Sequence, residues 1–209
     1  VPELLSTLGG PEADAFRTLL ARLEHDVAAA TQRAELAEAV ALRLREVQEA
    51  VRRFSRTLGE QDVAAELGGQ VARMVGAEIV AVLDVDLDSG QVTTRWRSVR
   101  GQVLPRGASP LAAGLVADAA RTGRSRAAAH AAPSALAQDD LDHAVLEQTS
   151  ALAVPMLAAQ KLEGVLLAVW LGKEPPPWAQ DVLEALASHA GAAMRNARLY
   201  ADSERERRQ

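Results

Sequence analysis

An α+β fold preceded by a long coiled-coil-type helix is what this sequence predicts, and three observations predict it. Beginning at Phe16, the positions Leu23, Ala30, Ala37, Leu44, Val51 and Leu58 recur at heptad spacing. Two pairs of short apolar runs, 79–84 with 92–100 and 150–157 with 164–171, each joined by a polar turn, read as antiparallel hairpins. Helical patterns flank both hairpins. Strands gathered into an antiparallel sheet with helices packed against it is the α+β plan.

Composition sets the limits. A chain of 209 residues accommodates one full core and an added helix. Hydrophobic content of 48% with only 3% aromatic residues reflects heavy use of alanine, the best helix former, so helix seams are built of small side chains. A net charge of −5 argues against a nucleic-acid surface, which needs a concentrated basic patch. The chain contains no cysteine, which removes disulfides, zinc-thiolate sites and thiol catalysis together. No apolar run reaches the roughly 20 residues a membrane helix needs, and no signal peptide is visible. The sequence starts at Val1 and ends inside a helical pattern, so it reads as a piece of a longer soluble protein.

The elements follow in order. The heptad positions are joined by Leu20, Val27 and Ala34, then by Val40, Val47 and Phe54, which describes a helical seam over residues 1–58 with a shift of companion position midway. An intramolecular antiparallel pair is the alternative, but no turn signal interrupts the run between Pro11 and Gly59. Asp62 is a candidate N-cap for a helix over 63–75 that ends at Gly76. The turn at 86–90 joins the first two strands. Ser109 and Pro110 read as a cap and first helical residue, with Gly123 as terminator. A short strand is expected near 125–129, and residues 127–146 form a connection long enough for a lid or binding loop. Pro155 cannot donate to a sheet ladder, so it belongs at an edge, a bulge or a strand break. Pro175, Pro176 and Pro177 precede a last helix from Trp178, whose inward face carries Val182, Leu186, His189, Ala190, Ala193, Ala197 and Tyr200.

Over roughly 46–200 the chain resembles a GAF domain. The similar features are Val75-Gly76-Ala77-Glu78 before the first strand, Asp88-Ser89-Gly90, Gly114-Leu115-Val116 with Ala120-Arg121-Thr122-Gly123-Arg124, the strand 150–157 followed by Leu162-Glu163-Gly164-Val165-Leu166, and Ala197-Arg198-Leu199-Tyr200. A PAS domain is the structural competitor; the Ala-Arg-Thr-Gly and Val-Pro segments favour GAF. The resemblance implies a sheet of five to six strands, first and last helices on one face, and a ligand pocket on the other. It further implies a sensory or dimerisation module of cytoplasmic bacterial signalling proteins, occupying 59–200 here, with 201–209 as a helical extension. Its output domain, whether kinase, phosphatase, cyclase or transcription regulator, lies outside the sequence.

Family chemistry narrows against these residues. Covalent bilin attachment and methionine sulfoxide reduction both use cysteine in the family, and the chain has none. The Asn-Lys, Phe, Asp-Glu signature of cyclic-nucleotide binders is missing as well. A non-covalent haem would need an imidazole, for which His130 and His143 are candidates; solvated loop histidines are the plainer reading. No Ser-His-Asp spacing points to an enzyme. The acidic group Asp139, Asp140 and Asp142 reads equally as a cation site or a capped turn. Strand alternation puts Trp96, Ser98 and Arg100 on one face, and with Leu111, Leu115, His130, His143 and Thr149 they form the expected pocket; Trp96 as ordinary core and Arg100 as surface is the alternative. The expected homodimer interface is Leu23, Leu44, Val51 and Leu58 with Leu186, His189 and Ala193, and His25 lies outside the seam. The cofactor, if any, stays unassigned. The expected function is non-enzymatic: small-ligand sensing or signal relay through a parallel helical dimer, with a ligand-free scaffold that dimerises or docks a partner as the other class.

Overall fold

The computed structural model describes residues 11–54, 59–111, 114–129 and 149–207. Leu58, His130, His143, the acidic group at 139–142 and most of the expected lid lie outside the described residues. The chain divides into two compact units, Val1–Glu46 and Val47–Gln209.

Helix α1 (Pro11–Phe54) runs unbroken for 44 residues, about 66 Å at 1.5 Å per residue. Its continuity follows from sequence: Pro11 sits at the first helical position, and no glycine or further proline occurs before Gly59. The Thr18 and Thr31 hydroxyls donate back to the carbonyls of Asp14 and Val27, so neither competes with the helix. Within the first unit Leu19, Leu23, Val27, Val40, Leu42 and Leu44 are all more than half exposed.

The second unit is built on a seven-stranded sheet of order β3-β2-β1-β7-β6-β5, with β4 also on β2. In chain order its elements are α2 (Glu60–Val75), β1 (Ile79–Asp86), β2 (Gln91–Val99), β3 (Gln102–Val103), β4 (Ala108–Pro110), α3 (Leu115–Thr122), β5 (Arg126–Ala129), β6 (Thr149–Ala158), β7 (Lys161–Leu171) and α4 (Ala179–Arg207). Every pairing is antiparallel. Central β7 alternates Leu166, Ala168 and Trp170 toward one core with Val165, Leu167 and Val169 toward the other, so it reads as one continuous apolar run. The first core lies under α2, α4 and the end of α1, where Ala50 is buried; the second lies under α3. Trp170 fills the first core, and its Nε1 donates to the Val75 carbonyl, satisfying the last turn of α2.

The glycine terminators behave as expected: Gly76 and Gly123 both close their helices in the left-handed conformation. Pro155 pairs with Val165 on one side, while β5 reaches only as far as Ala153 on the other, and a register shift follows at Met156. The proline therefore occupies an edge beside a bulge, where no ladder donor is missed.

Three local expectations are corrected. The segment at Ser109 and Pro110 is strand β4, paired to Val92 and Gln91, and the helix starts only at Leu115. Helix α2 begins at Glu60 with Gly59 at the cap, whose carbonyl accepts from the Asp62 and Val63 amides; Asp62 sits in the first turn. The second hairpin closes through Ala159 and Gln160 alone, both with positive φ, the conformation a two-residue turn needs to match strand twist.

Candidate functional site

The pocket expected from strand alternation does not form as one surface. Trp96 packs in the helix-covered core, where its indole lies so close to Gly68 that a Cβ there would run into the ring. Ser98, buried, shares that face by alternation and pairs with Val80. Leu111 and Leu115 pack instead against the opposite core, under α3, and alternation puts fully buried Thr149 on that side with Ala151 and Ala153. Arg100 is exposed in a turn with positive φ. Trp96 and Ser98 thus lie on the opposite face of the sheet from Leu111, Leu115 and Thr149.

A β-bulge is the physical reason. Along β1 and β2, Val82 pairs with Trp96 but Leu83 pairs with Thr94, leaving Arg95 as an extra residue. One inserted residue reverses the facing of everything beyond it. Val92 therefore lies with the α3-side core, whereas Trp96 lies under α2. The carbonyl of the bulged Arg95 accepts from Gln61 Nε2 at 2.7 Å, so α2 fixes the irregularity.

A second bulge stands on the other flank of β1. Met156 pairs with Gly164 and Leu157 with Leu162, so Glu163 is the extra residue on β7. Gly164 is required here, since its φ is +155° and a Cβ would collide with the Leu83 carbonyl. Across β2, β1 and β7 the two bulges bring Arg95 and Glu163 toward Asp84, and the helices supply Glu60 and Arg198. Arg95 pairs with Glu60 at 2.7 Å and with Asp84. Arg198 reaches Glu60 at 3.1 Å, Glu163 at 3.0 Å and Asp84 at 3.5 Å. Glu163 is only 3% exposed. Burial alone would lower the Arg198 pKa, but the Glu60, Asp84 and Glu163 carboxylates outweigh it and raise it above the usual arginine value. Sequence reasoning missed this cluster because its members are scattered from residue 60 to 198 and two of them sit at bulges.

Two clefts flank the first half of α4. One of about 430 Å³ is bounded by Arg124, Ser125, Pro155, Gln180, Glu184 and Ser188; the other, about 300 Å³, lies between β5, β6 and the prolines 175–177. Among the described residues, no group of three or more His, Asp or Glu is placed to hold a metal ion, and no helix is long and apolar enough to cross a membrane.

Of the expected interface residues, Leu23 and Leu44 are exposed on α1, Val51 is half-buried, and His189 is exposed on α4. Ala193 is half-buried against the domain's own core, and Leu186 is fully enclosed within it, so Leu186 has no surface to offer a second chain.

The family model for the GAF domain matches residues 59–194. Among solved structures, the GAF domain of an Acinetobacter phosphoenolpyruvate-protein phosphotransferase superposes with a TM-score of 0.58 at 15% identity, covering 77% of this chain and 98% of that one. The GAF-B domain of DevS from Mycobacterium smegmatis gives 0.52 at 21% identity, over 70% and 98%. The free methionine-R-sulfoxide reductase of Neisseria meningitidis, solved with its substrate, gives 0.58 at 19% identity, over 77% and 92%. No curated protein matches the chain in sequence.

Proposed function

The chain belongs to the GAF domain family, a family of regulatory and sensory modules of signalling proteins, and from that premise we propose that it is a non-enzymatic relay acting as a parallel helical homodimer in the cytoplasm. The observation that carries this reading is α1. Its apolar heptad positions Leu23 and Leu44, with companions Val27 and Val40, are more than half exposed in the single chain. Fully burying a Leu or Val side chain contributes about 1.5–3 kcal/mol, and an unpaired helix with such a seam is stabilised by a second helix running beside it. The absence of cysteine supports leaving aside the reductase chemistry named for the Neisseria neighbour.

A small ligand bound against the α3-side core, near Leu111, Leu115 and Thr149, would bias two arrangements of the flanking helices through differential affinity. The ligand-free scaffold is the second reading. It is favoured by how closely that core is filled by Ala81, Ala119, Ala120, Ala151 and Ala153. Native mass spectrometry separates the two. A dimer carrying extra mass that departs on denaturation supports sensing, with a haem mass implicating His130 or His143. A dimer of bare chains supports the scaffold, and a monomer contradicts both.

A further inference from the structure

We propose that Glu60 is a releasable clasp that couples the start of α2 to the last helix, α4, through the ion-pair cluster at the sheet's two bulges. This deepens the relay reading above and rests on it. The argument begins with charge. The cluster sets three carboxylates, Glu60, Asp84 and Glu163, against two guanidinium groups, Arg95 and Arg198, so one negative charge is in surplus. Removing Glu60 in thought leaves two complete pairs, Arg95 with Asp84 and Arg198 with Glu163. Loss of Asp84 or of Glu163 would also leave each arginine a carboxylate, but only because Glu60 then serves Arg95 or Arg198; without Arg198, the buried Glu163 loses its guanidinium.

Position singles out Glu60 among the three carboxylates. Asp84, Arg95 and Glu163 are held by three adjacent strands, two of them through bulges that are fixed by Gln61 and by Gly164. Bulges of this kind re-aim a side chain at a chosen place. Glu60 is instead the first residue of α2, just after Gly59, and it is the one carboxylate that touches both arginines with a distance near 3 Å. Room for exchange exists: among the described residues Arg95 Nε has no hydrogen-bond partner, and Arg198 Nη2 faces only Asp84, at 3.5 Å. A displacement at the start of α2 therefore withdraws Glu60 from Arg198 while both arginines keep a carboxylate, and α4 loses its ion pair to α2, leaving their shared apolar packing to hold the two helices together.

The test is hydrogen exchange on the intact chain carrying Glu60→Gln, with Asp62→Asn as the control. Both residues are acidic in the first turn of α2 and interact alike with its dipole, but Asp62 takes no part in the cluster's ion pairs. The clasp predicts that Glu60→Gln speeds amide exchange at residues 194–201 of α4 about tenfold, that Asp62→Asn leaves it within twofold, and that adding Glu60→Gln to Arg198→Gln produces no further change there. Faster exchange confined to the first turn of α2, or equal effects of the two single variants on α4, overturns the clasp. Sedimentation of the same samples decides the dimer separately: a wild-type monomer removes the relay reading, whereas the exchange pattern alone decides the coupling.

Discussion

Two regions of this chain use the same alanine- and leucine-rich vocabulary to opposite ends. In the 47–209 unit, Val71, Leu183, Leu186 and Trp170 are fully enclosed, and both faces of the sheet are closed by helices from the same unit. In the 1–46 unit, Leu23, Val27 and Leu44 stand exposed at spacing that places them along one stripe. A sheet face offers a broad surface that two helices cover, but a two-residue-per-heptad stripe is narrow and matches another such stripe. The difference teaches that the same residue types mark a closed core in one setting and an open seam in the other, and that exposure, not composition, distinguishes them.

That contrast can be broken deliberately. The largest effect is expected from Trp170→Ala, which empties the helix-side core and strands the Val75 carbonyl; chemical denaturation should show a loss of about 3–5 kcal/mol. Arg198→Gln should cost on the order of 3 kcal/mol by leaving the buried Glu163 carboxylate without its guanidinium, and pairing it with Glu163→Gln should recover part of that loss. Gly68→Ala comes next. The added methyl must displace the Trp96 ring, an overpacking cost of about 1–3 kcal/mol, although alanine is the better helix former. In the other region, Leu44→Ala should alter the thermal unfolding of the 47–209 unit by no more than about 0.5 kcal/mol while weakening self-association. The smallest effect belongs to the hairpin turn, where the Ser89 hydroxyl and the Ser89 and Asp88 amides hold the Asp86 carboxyl below the usual carboxylate range. A depressed folded-state pKa contributes stability above the unfolded-state value and loses it as pH falls through the folded one. Asp86→Asn should therefore slightly lower stability near neutrality and flatten its fall on the acid side, the two variants converging once the carboxyl is protonated.

Much of the fold was legible because its signals are local. Gly76 and Gly123 announce helix ends, Pro155 announces an edge, and the unbroken run from Pro11 announces a long helix, each through backbone geometry that only those residues satisfy or forbid. The GAF resemblance read from these landmarks agrees with the family match over 59–194. The pocket was less legible. Alternation holds only while register holds, and the extra residue at Arg95 moved Trp96 and Ser98 to the helix-side core. Nothing in the local pattern Arg95-Trp96-Arg97-Ser98 marks a bulge; its cause is nonlocal, the capture of the Arg95 carbonyl by Gln61 on α2. Strand β4 was hidden for a related reason. Ser109-Pro110 matches a helix start, and only its pairing with β2 reveals an edge strand. Leu186 fits a seam by spacing, but the sheet claims it first.

Sedimentation equilibrium on the intact chain and on Leu44→Glu tests the central claim most directly, because it asks whether the exposed stripe of α1 is matched by a second copy. The account predicts a wild-type dimer at micromolar concentration and a folded monomer for the charged variant. A wild-type monomer, or a dimer unchanged by Leu44→Glu, would contradict it.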